Sequence, residues 1–446
     1  MSSAPTTTDG WRGLPGPGFA EPHLLAALDH CAERDVLGEN VLVGYDGRAG
    51  APELARLAAD LLAEHGITAH LAITPAPTPA CGWLVHQDAG LSAAVIITAS
   101  HNPPGYIGMK LRNAAGHGIV WPQPPPGAVL DPGRLPQGSH PALDVLAPYA
   151  AATGSALDEA AAHFDADVLL DAAHGAVGAL AGHLEAVRIL RGRPLPFFSG
   201  RTPDPVPRPQ AEQTARELLE YQARPALLAM TDGDGDRLVL FTRRSGYIGS
   251  PEQAAALLYA GLPVDRLITT AVAPRMAVRA AKRARPGLRV TETPVGFKHV
   301  VTAWQNNPKP TLGLEPNGAL VHVNGGRGYF ERDSLAALTA VLHAFPTLEA
   351  LDYAVADVRR AHPHTQLVHT VPEPLTDVLH QLPKLLPGWR ADHSGDPVVY
   401  DDGAHGRIAV RASGTEPATR LYIEAPVPVV ERLTRALGGP AFNLSA

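Results

Sequence analysis

Residues 93–105 read AAVIITASHNPPG. Ala93–Thr98 is short, apolar, β-branched and bounded by turn residues, which is the signature of a buried strand. Its end delivers a hydroxyl, an imidazole and an amide at Ser100, His101 and Asn102, and Pro103-Pro104-Gly105 then interrupts regular structure. A serine on a rigid loop at a strand's carboxyl end lies where open α/β sheets do chemistry. Ser100 is therefore read as a nucleophile or a phosphate carrier. His101 is poorly placed as its base, because neighbours in an extended loop point apart.

Working outward, Val41–Asp46 and His70–Ile73 read as strands, with an amphipathic helix at Pro52–His65 between them. This alternation predicts a mostly parallel sheet. The Pro/Gly-rich stretch Trp121–Pro141 reads as surface loop leading to a boundary. The pattern restarts with a strand at Asp167–Asp171, a turn through His174-Gly175, a helix, an extended loop at Arg201–Pro209 and a strand at Ala226–Met230. A third cycle has strands at Leu267–Thr270, Leu288–Glu292 and Thr311–Leu314, then a helix at Ser334–Phe345. From about Thr365 the pattern changes to strand-like pieces (Gln366–Thr370, Val398–Tyr400, Arg407–Val410, Leu421–Glu424) and helices near Leu375–Leu386 and Val429–Leu437, an α+β tail. The expected domains are 1–145, 146–248, 249–362 and 363–446.

A chain of 446 residues exceeds the roughly 250–300 at which single cores stop growing. A net charge of −7, a pI near 6.3 and 5% aromatic residues argue against nucleic acid as a partner. Cys31 and Cys81 form no metal spacing and no disulfide framework, so a reducing cytoplasm is expected. The N-terminus lacks a cationic apolar signal and no apolar stretch suffices to span a bilayer, so no membrane role is expected.

Asp232, Asp234 and Asp236 alternate after a strand, and carboxylates on one tight loop repel unless a cation neutralises them. An EF-hand would need Gly and Glu where Arg237 and Arg243 stand. Oxygen-only ligation favours Mg²⁺ over Zn²⁺. The segment Arg411-Ala-Ser413-Gly414-Thr415-Glu-Pro417 offers a guanidinium, hydroxyls and Gly-exposed amides suited to a phosphate dianion, with Arg420 as a second guanidinium. Alone it equally reads as a hairpin loop. Thr293–Lys298 and Gly313–Gly318 are further loops after strands, where Glu315 suits sugar hydroxyls and Lys298 an anion. Thr8–Gly13 puts Arg12 in a Gly-flanked turn. Walker A, HExxH, GxSxG and GxGxxG patterns are all absent.

Together these loops resemble the α-D-phosphohexomutase family over nearly the whole chain and in the family's order. The resemblance implies four domains around a central cleft, three similar α/β domains with mixed sheets and a smaller α+β C-terminal domain. It implies that Ser100 carries a phosphoryl group, that Mg²⁺ is held by Asp232, Asp234, Asp236 and the serine phosphate, and that a sugar 1,6-bisphosphate links hexose 1-phosphate to 6-phosphate. Arg12, His101, Lys110 and Arg237 then handle protons and charge near Ser100. Lys298, Glu315, Asn317, Arg411, Ser413, Gly414, Thr415 and Arg420 hold a small-molecule phosphosugar, in a monomer or homodimer.

The family's Glu-x-Ser-Gly, often followed by His, stands here with Asn317 and Ala319 in the Ser and His places, and Ile107 replaces a usual Asn. Phe297-Lys298 resembles the glucose/mannose type rather than the Asp-Arg of phosphoglucosamine mutases. A pathway-specific mutase on an amino sugar or pentose phosphate, a phosphoserine-forming phosphatase and an inactive sugar-phosphate binder remain as alternatives.

Overall fold

The computed structural model describes residues 9–16, 18–323, 328–404, 406–412, 418–438 and 441–443. Among them the chain builds four sheets. In the first, Asn40–Tyr45 runs parallel to both Thr68–Ala72 and Ala93–Ile97. The crossover helix Ala51–Glu64 starts with Pro in its first turn and buries Leu54, Ala55, Ala58, Leu61 and Leu62, the helical repeat of a core-facing stripe. Ile107–Arg112 then returns antiparallel to Ala93–Ile97, and Trp11–Gly13 pairs with its far side. The sheet is thus mostly parallel, as expected, with Ala142–Leu143 also parallel to Thr68–Ala72, but mixed on one side, where this return runs antiparallel. The reason is length: a parallel return needs a crossover of a dozen or more residues, and the loop at 98–106 is shorter than that.

The same move recurs twice. In the second sheet Val187–Leu190, Asp167–Asp171 and Ala226–Thr231 are parallel, and Leu238–Thr242 folds back antiparallel after the loop at 232–237. In the third, Arg289–Thr293, Arg266–Thr270 and Thr311–Glu315 are parallel, and Ala319–Val323 folds back after Pro316-Asn317-Gly318. The fourth sheet is antiparallel throughout, and its strands Arg407–Ala412 and Thr419–Ala425 form the hairpin around the Arg411 loop. The Ser100, Asp232 and Glu315 loops therefore occupy the same place, the tip where a strand reverses onto its neighbour, whereas Thr293–Lys298 leads from a strand into the helix Phe297–Gln305.

Other elements differ from the sequence reading. Arg12 lies in a strand, opposite Gly108, rather than in a turn, and Lys110 also lies within a strand. A side chain at Gly108 would meet the carbonyls of Thr98 and Trp11 at 2.6 and 2.7 Å, so glycine is required for these strands to close. Helices at Glu21–Ala32, Thr78–Gln87 and Leu348–Ala361 went unread, and Arg208–Leu219 begins inside the expected extended loop. After Gly175 there is only a 3₁₀ turn, Ala176–Leu180, in place of the expected helix. Here the backbone of Gly192 approaches Gly178 so closely that a Cβ would lie 2.4 Å from its carbonyl.

One apolar core runs through the elements of the first three sheets, and the fourth has its own, around Leu367, Val378, Ile408, Leu421 and Leu433. Val368 and Tyr422 of the fourth sheet pack on Val206, Leu228 and Tyr247 of the second. Among the described residues no single helix is long and apolar enough to cross a membrane.

His117, which follows the first sheet, stacks on Tyr329 and meets the edge of Trp304 from the third, while Nδ1 contacts Gln305 Nε2 at 2.9 Å. Burial lowers its pKa, with His86 and Arg112 adding to the effect and Glu331 opposing it. As pH falls below the unfolded value of about 6.5, the unfolded chain takes up the proton first, so this contact's stability is full above that pH and lost below it. His117→Gln is expected to flatten the fall in melting temperature between about pH 7.5 and about pH 5.5. Equal slopes in thermal scans of the two proteins would rule the imidazole out.

Candidate active site

Ser100 closes the strand Ala93–Ile97 in a left-handed conformation, φ 52°, rare for a residue with a Cβ. Its N–H donates to Thr98 Oγ1 at 2.8 Å, and its hydroxyl donates to Asp232 Oδ2 at 3.0 Å. The loop is not extended here, so the expected divergence of Ser100 and His101 does not occur. Ser100 Oγ lies 3.4 Å from His101 Nδ1, and His101 Nε2 lies 3.3 Å from Arg237 Nη2. Burial, with Arg237, Arg12 and Lys110 close by, holds the imidazole well below its usual pKa and therefore neutral.

Asp232, Asp234 and Asp236 are buried, and one oxygen from each lies within 4.8 Å of the others. Gly235, at φ 77°, supplies the left-handed turn that folds the three inward. Asp232 Oδ1 accepts from the N–H groups of Asp236 and Arg237 at 3.0 and 3.2 Å. Burial and then its two neighbours push the Asp232 carboxyl well above its usual range. Burial also acts on Asp234, but Lys110 and Arg12 outweigh it and hold that group low. Lys110 Nζ lies 2.6 Å from both Asp234 Oδ2 and Asp236 Oδ2, and Thr78 donates to Asp234 Oδ2 at 2.6 Å. The Oδ1 atoms of Asp234 and Asp236 are buried without a hydrogen-bond partner. Crowded, oxygen-only and partly unsatisfied, the cluster fits a hard divalent cation.

Two residues that the sequence reading passed over complete the charge balance. Asp9 pairs with Arg112, Lys110 and Arg332. Arg332, from the third sheet's side, also lies 3.1 Å from Asp236 Oδ2, and its guanidinium sits over the Phe297 ring. A buried carboxylate triad demands more cations than Lys110 alone, and that demand was the signal available. Arg237 pairs at 3.1 Å with Asp204, a further residue the sequence reading missed. Burial raises the Asp204 carboxyl against the opposing pull of Arg237.

A cavity of about 220 Å³ opens beside this cluster, lined by His101, Asp204, Arg237, Asn317, Arg420 and Tyr422 among others. Glu315 is buried and its Oε1 accepts from Gly296 N–H at 3.0 Å; burial raises its carboxyl. Asn317 bonds to that carboxylate through its side chain and has a buried Oδ1 without a partner. Gly318 accepts from Leu238 N–H at 2.8 Å, which ties this loop to the metal loop. Ala319 is buried among apolar side chains. Lys298 opens the helix Phe297–Gln305 half-buried and does not line the cavity. Arg411 and Arg420 are register partners on adjacent strands, so both side chains leave the same face. Ser413, Gly414 and Thr415 lie outside the described residues.

Two family models match the chain: phosphoglucomutase/phosphomannomutase alpha/beta/alpha domain I over residues 5–123, and the C-terminal domain over 387–434. A phosphoglucosamine mutase of Thermus thermophilus is 29% identical over 436 residues, covering 94% of this chain and 93% of its own. The phosphoglucomutase/phosphomannomutase of Thermococcus kodakarensis is 26% identical over 379 residues, 78% of each chain. A crystal structure from Thermus thermophilus, assigned as a phosphomannomutase, has a TM-score of 0.75 at 25% identity, covering 98% of this chain and 99% of that one.

Chelated protein titrated with Mg²⁺ is expected to gain about 2.7 kcal/mol when the ion reaches about a hundred times its Kd. The gain is read as a rise in melting temperature that Asp234→Asn removes. An equal rise in that variant would move the ion elsewhere.

Proposed function

Because the chain belongs to the α-D-phosphohexomutase family, we propose that it interconverts a hexose 1-phosphate and 6-phosphate through phosphoserine at Ser100. The observation that carries this reading is Ser100 Oγ at 3.0 Å from Asp232, beside a cavity that His101, Arg237 and Arg420 line together. A phosphatase needs only the first half of that arrangement. In this reading the chain divides at 1–145, 146–248, 249–362 and 363–446, each part lending one loop tip.

Asp232, Asp234, Asp236 and the serine phosphate would hold Mg²⁺, which when bound supplies charge neutralisation for the transferring phosphoryl group. The chain's own residues do the rest. In the first transfer the Oγ–P bond of phosphoserine breaks and the phosphoryl group bonds to the free sugar hydroxyl. Neutral His101 accepts that hydroxyl's proton. Arg237 and Arg12 face the charge that spreads over the phosphoryl oxygens. The bisphosphate turns within the cleft. Its other phosphoryl group returns to Ser100 Oγ, and the proton goes back to the departing sugar oxygen. Throughout, Arg411, Arg420, Ser413, Gly414 and Thr415 grip the phosphate that is not reacting. Two guanidiniums leaving the same face of one strand pair offer convergent donors, which favours a phosphate at that place. Glu315 accepts sugar hydroxyls, and Lys298, outside the described cavity, is assigned the phosphate's charge from the family resemblance alone.

A glucose- or mannose-type substrate is the first reading. An amino sugar is the second, favoured by Asn317, whose unpaired Oδ1 is an acceptor suited to an N–H as well as to a hydroxyl. A panel of glucose, mannose and glucosamine 1-phosphates with catalytic 1,6-bisphosphate, read by phosphorus NMR, separates these possibilities. Isomerisation to the 6-phosphate is expected. Release of inorganic phosphate alone identifies a phosphatase, and no change in any sugar identifies a binding protein. Ser100→Ala is expected to lower turnover about a thousandfold or more. Asn317→Ser is expected to shift the ratio of kcat/KM between sugars by about tenfold, and an unchanged ratio would clear Asn317 of a part in selectivity.

A further inference from the structure

The turn after Asn40–Tyr45 carries Asp46 and Arg48, both almost fully buried. The Arg48 guanidinium spends its donors on the serine loop. Nη2 donates to the carbonyls of Ser100 and Asn102 at 2.6 and 2.7 Å, and Nη1 to that of Pro103 at 2.8 Å and that of Tyr106 at 3.3 Å. Nε donates to Asp46 Oδ2 at 3.2 Å, and the same oxygen accepts from Thr98 Oγ1 at 2.7 Å. One planar cation thus gathers four carbonyls of a loop whose central residue is held at positive φ, a conformation that costs about 1–3 kcal/mol and persists only where its surroundings over-determine it.

The face of that cation is covered from the second sheet's side. Phe198 is fully buried, with its ring 4.9 Å below the Arg48 carbon, and Ala49 N–H donates to Pro196 O at 3.1 Å, fixing the two turns together. Gly233 of the metal loop fits between them. A Cβ there would lie 2.7 Å from the Ser100 carbonyl and 3.3 Å from the tip of the Phe198 ring. Serine loop, metal loop and aromatic ring therefore meet around one guanidinium.

We propose that Arg48 is a positioning residue for Ser100, and that Phe198 is the clamp by which the second sheet holds the serine in line with the metal loop, so that phosphoserine transfers to sugar in preference to water. This rests on Ser100 being the phosphate carrier. In either transfer the Oγ–P bond breaks, the phosphoryl group bonds to the acceptor oxygen, and the acceptor's proton is released. A bound sugar hydroxyl is fixed in place and needs the Oγ–P axis aligned to it, whereas water enters from many directions. Loosening the loop therefore costs sugar transfer first.

The test uses the full chain labelled with radioactive phosphate from 1,6-bisphosphate. Phe198→Leu keeps an apolar filling and removes the ring face. It is expected to lower mutase kcat about tenfold, the loss of one desolvated cation–π contact, with KM within about twofold and phosphoserine hydrolysis unchanged or faster. Arg48→Ala is expected to lose labelling and to regain part of it with millimolar guanidinium but not with methylammonium. A ratio of transfer to hydrolysis in Phe198→Leu equal to that of the wild type, at a lower melting temperature, makes Phe198 a packing residue and overturns the proposal. Label found elsewhere than Ser100 in the wild-type protein overturns the carrier assignment instead.

Discussion

Three carboxylates within five residues, all buried, are the constraint on which the rest of the molecule turns. Two unit charges about 4 Å apart repel by about 4 kcal/mol even at an effective dielectric of about 20. The second sheet's own loop relieves only Asp232, through Arg237 and two backbone N–H groups, and leaves Asp234 and Asp236 to other elements. Relief comes from outside: Lys110 from a strand of the first sheet, and Arg332 from the third sheet's side, both in contact with Asp236. Asp9 then balances the surplus of cations, pairing with Lys110, Arg112 and Arg332 at once. The association of the first three sheets is therefore an electrostatic requirement of the metal loop as much as a product of the shared apolar core.

The serine, metal and Glu315 loops share one topological origin. Each lies where a chain that has been running in one direction reverses into a hairpin with its neighbour, and Arg411 and Arg420 stand near the end of a fourth such strand pair. That common placement brings a serine, an acidic triad, a sugar-facing Glu-Pro-Asn-Gly turn and a pair of register-matched arginines toward a shared space. The tie between Leu238 N–H and Gly318 O joins two of these tips directly.

Much of this was legible in the sequence. The buried strands announced themselves by short β-branched runs, and Ser100, Asp232, Asp234 and Asp236 by the turn residues that follow them. What was not legible depended on partners distant along the chain. Ile107–Arg112 reads IGMKLR, with a lysine and an arginine that look solvated until Asp9 and the metal loop close over them. Arg48 carries no signal in the sequence, because nothing local shows that four carbonyls from more than fifty positions away converge on its guanidinium. Ser100 reads as extended in the sequence, whereas its positive φ accompanies contacts to Thr98 and Arg48 that only the fold supplies. Arg332 precedes a helix capped by Asp333 and carries no motif of its own.

The hairpin placement of the loops also bears on how such a chain diversifies. A tip residue belongs to neither ladder of its hairpin, so replacing it leaves strand register and core packing as they were. Asn317 sits at such a tip, one residue beyond Pro316 and in no strand. Ala319, by contrast, is already the first rung, paired with Glu315 and buried. New substrate preferences are thus cheapest to acquire at 316–317, whereas Gly318, at φ 88° with Arg237 3.1 Å from the place of a Cβ, and Ala319 in the sheet must both be accommodated by their surroundings. The architecture separates the part of the sequence that can drift in chemistry from the part that must stay fixed for folding, and the dividing line falls between two adjacent residues.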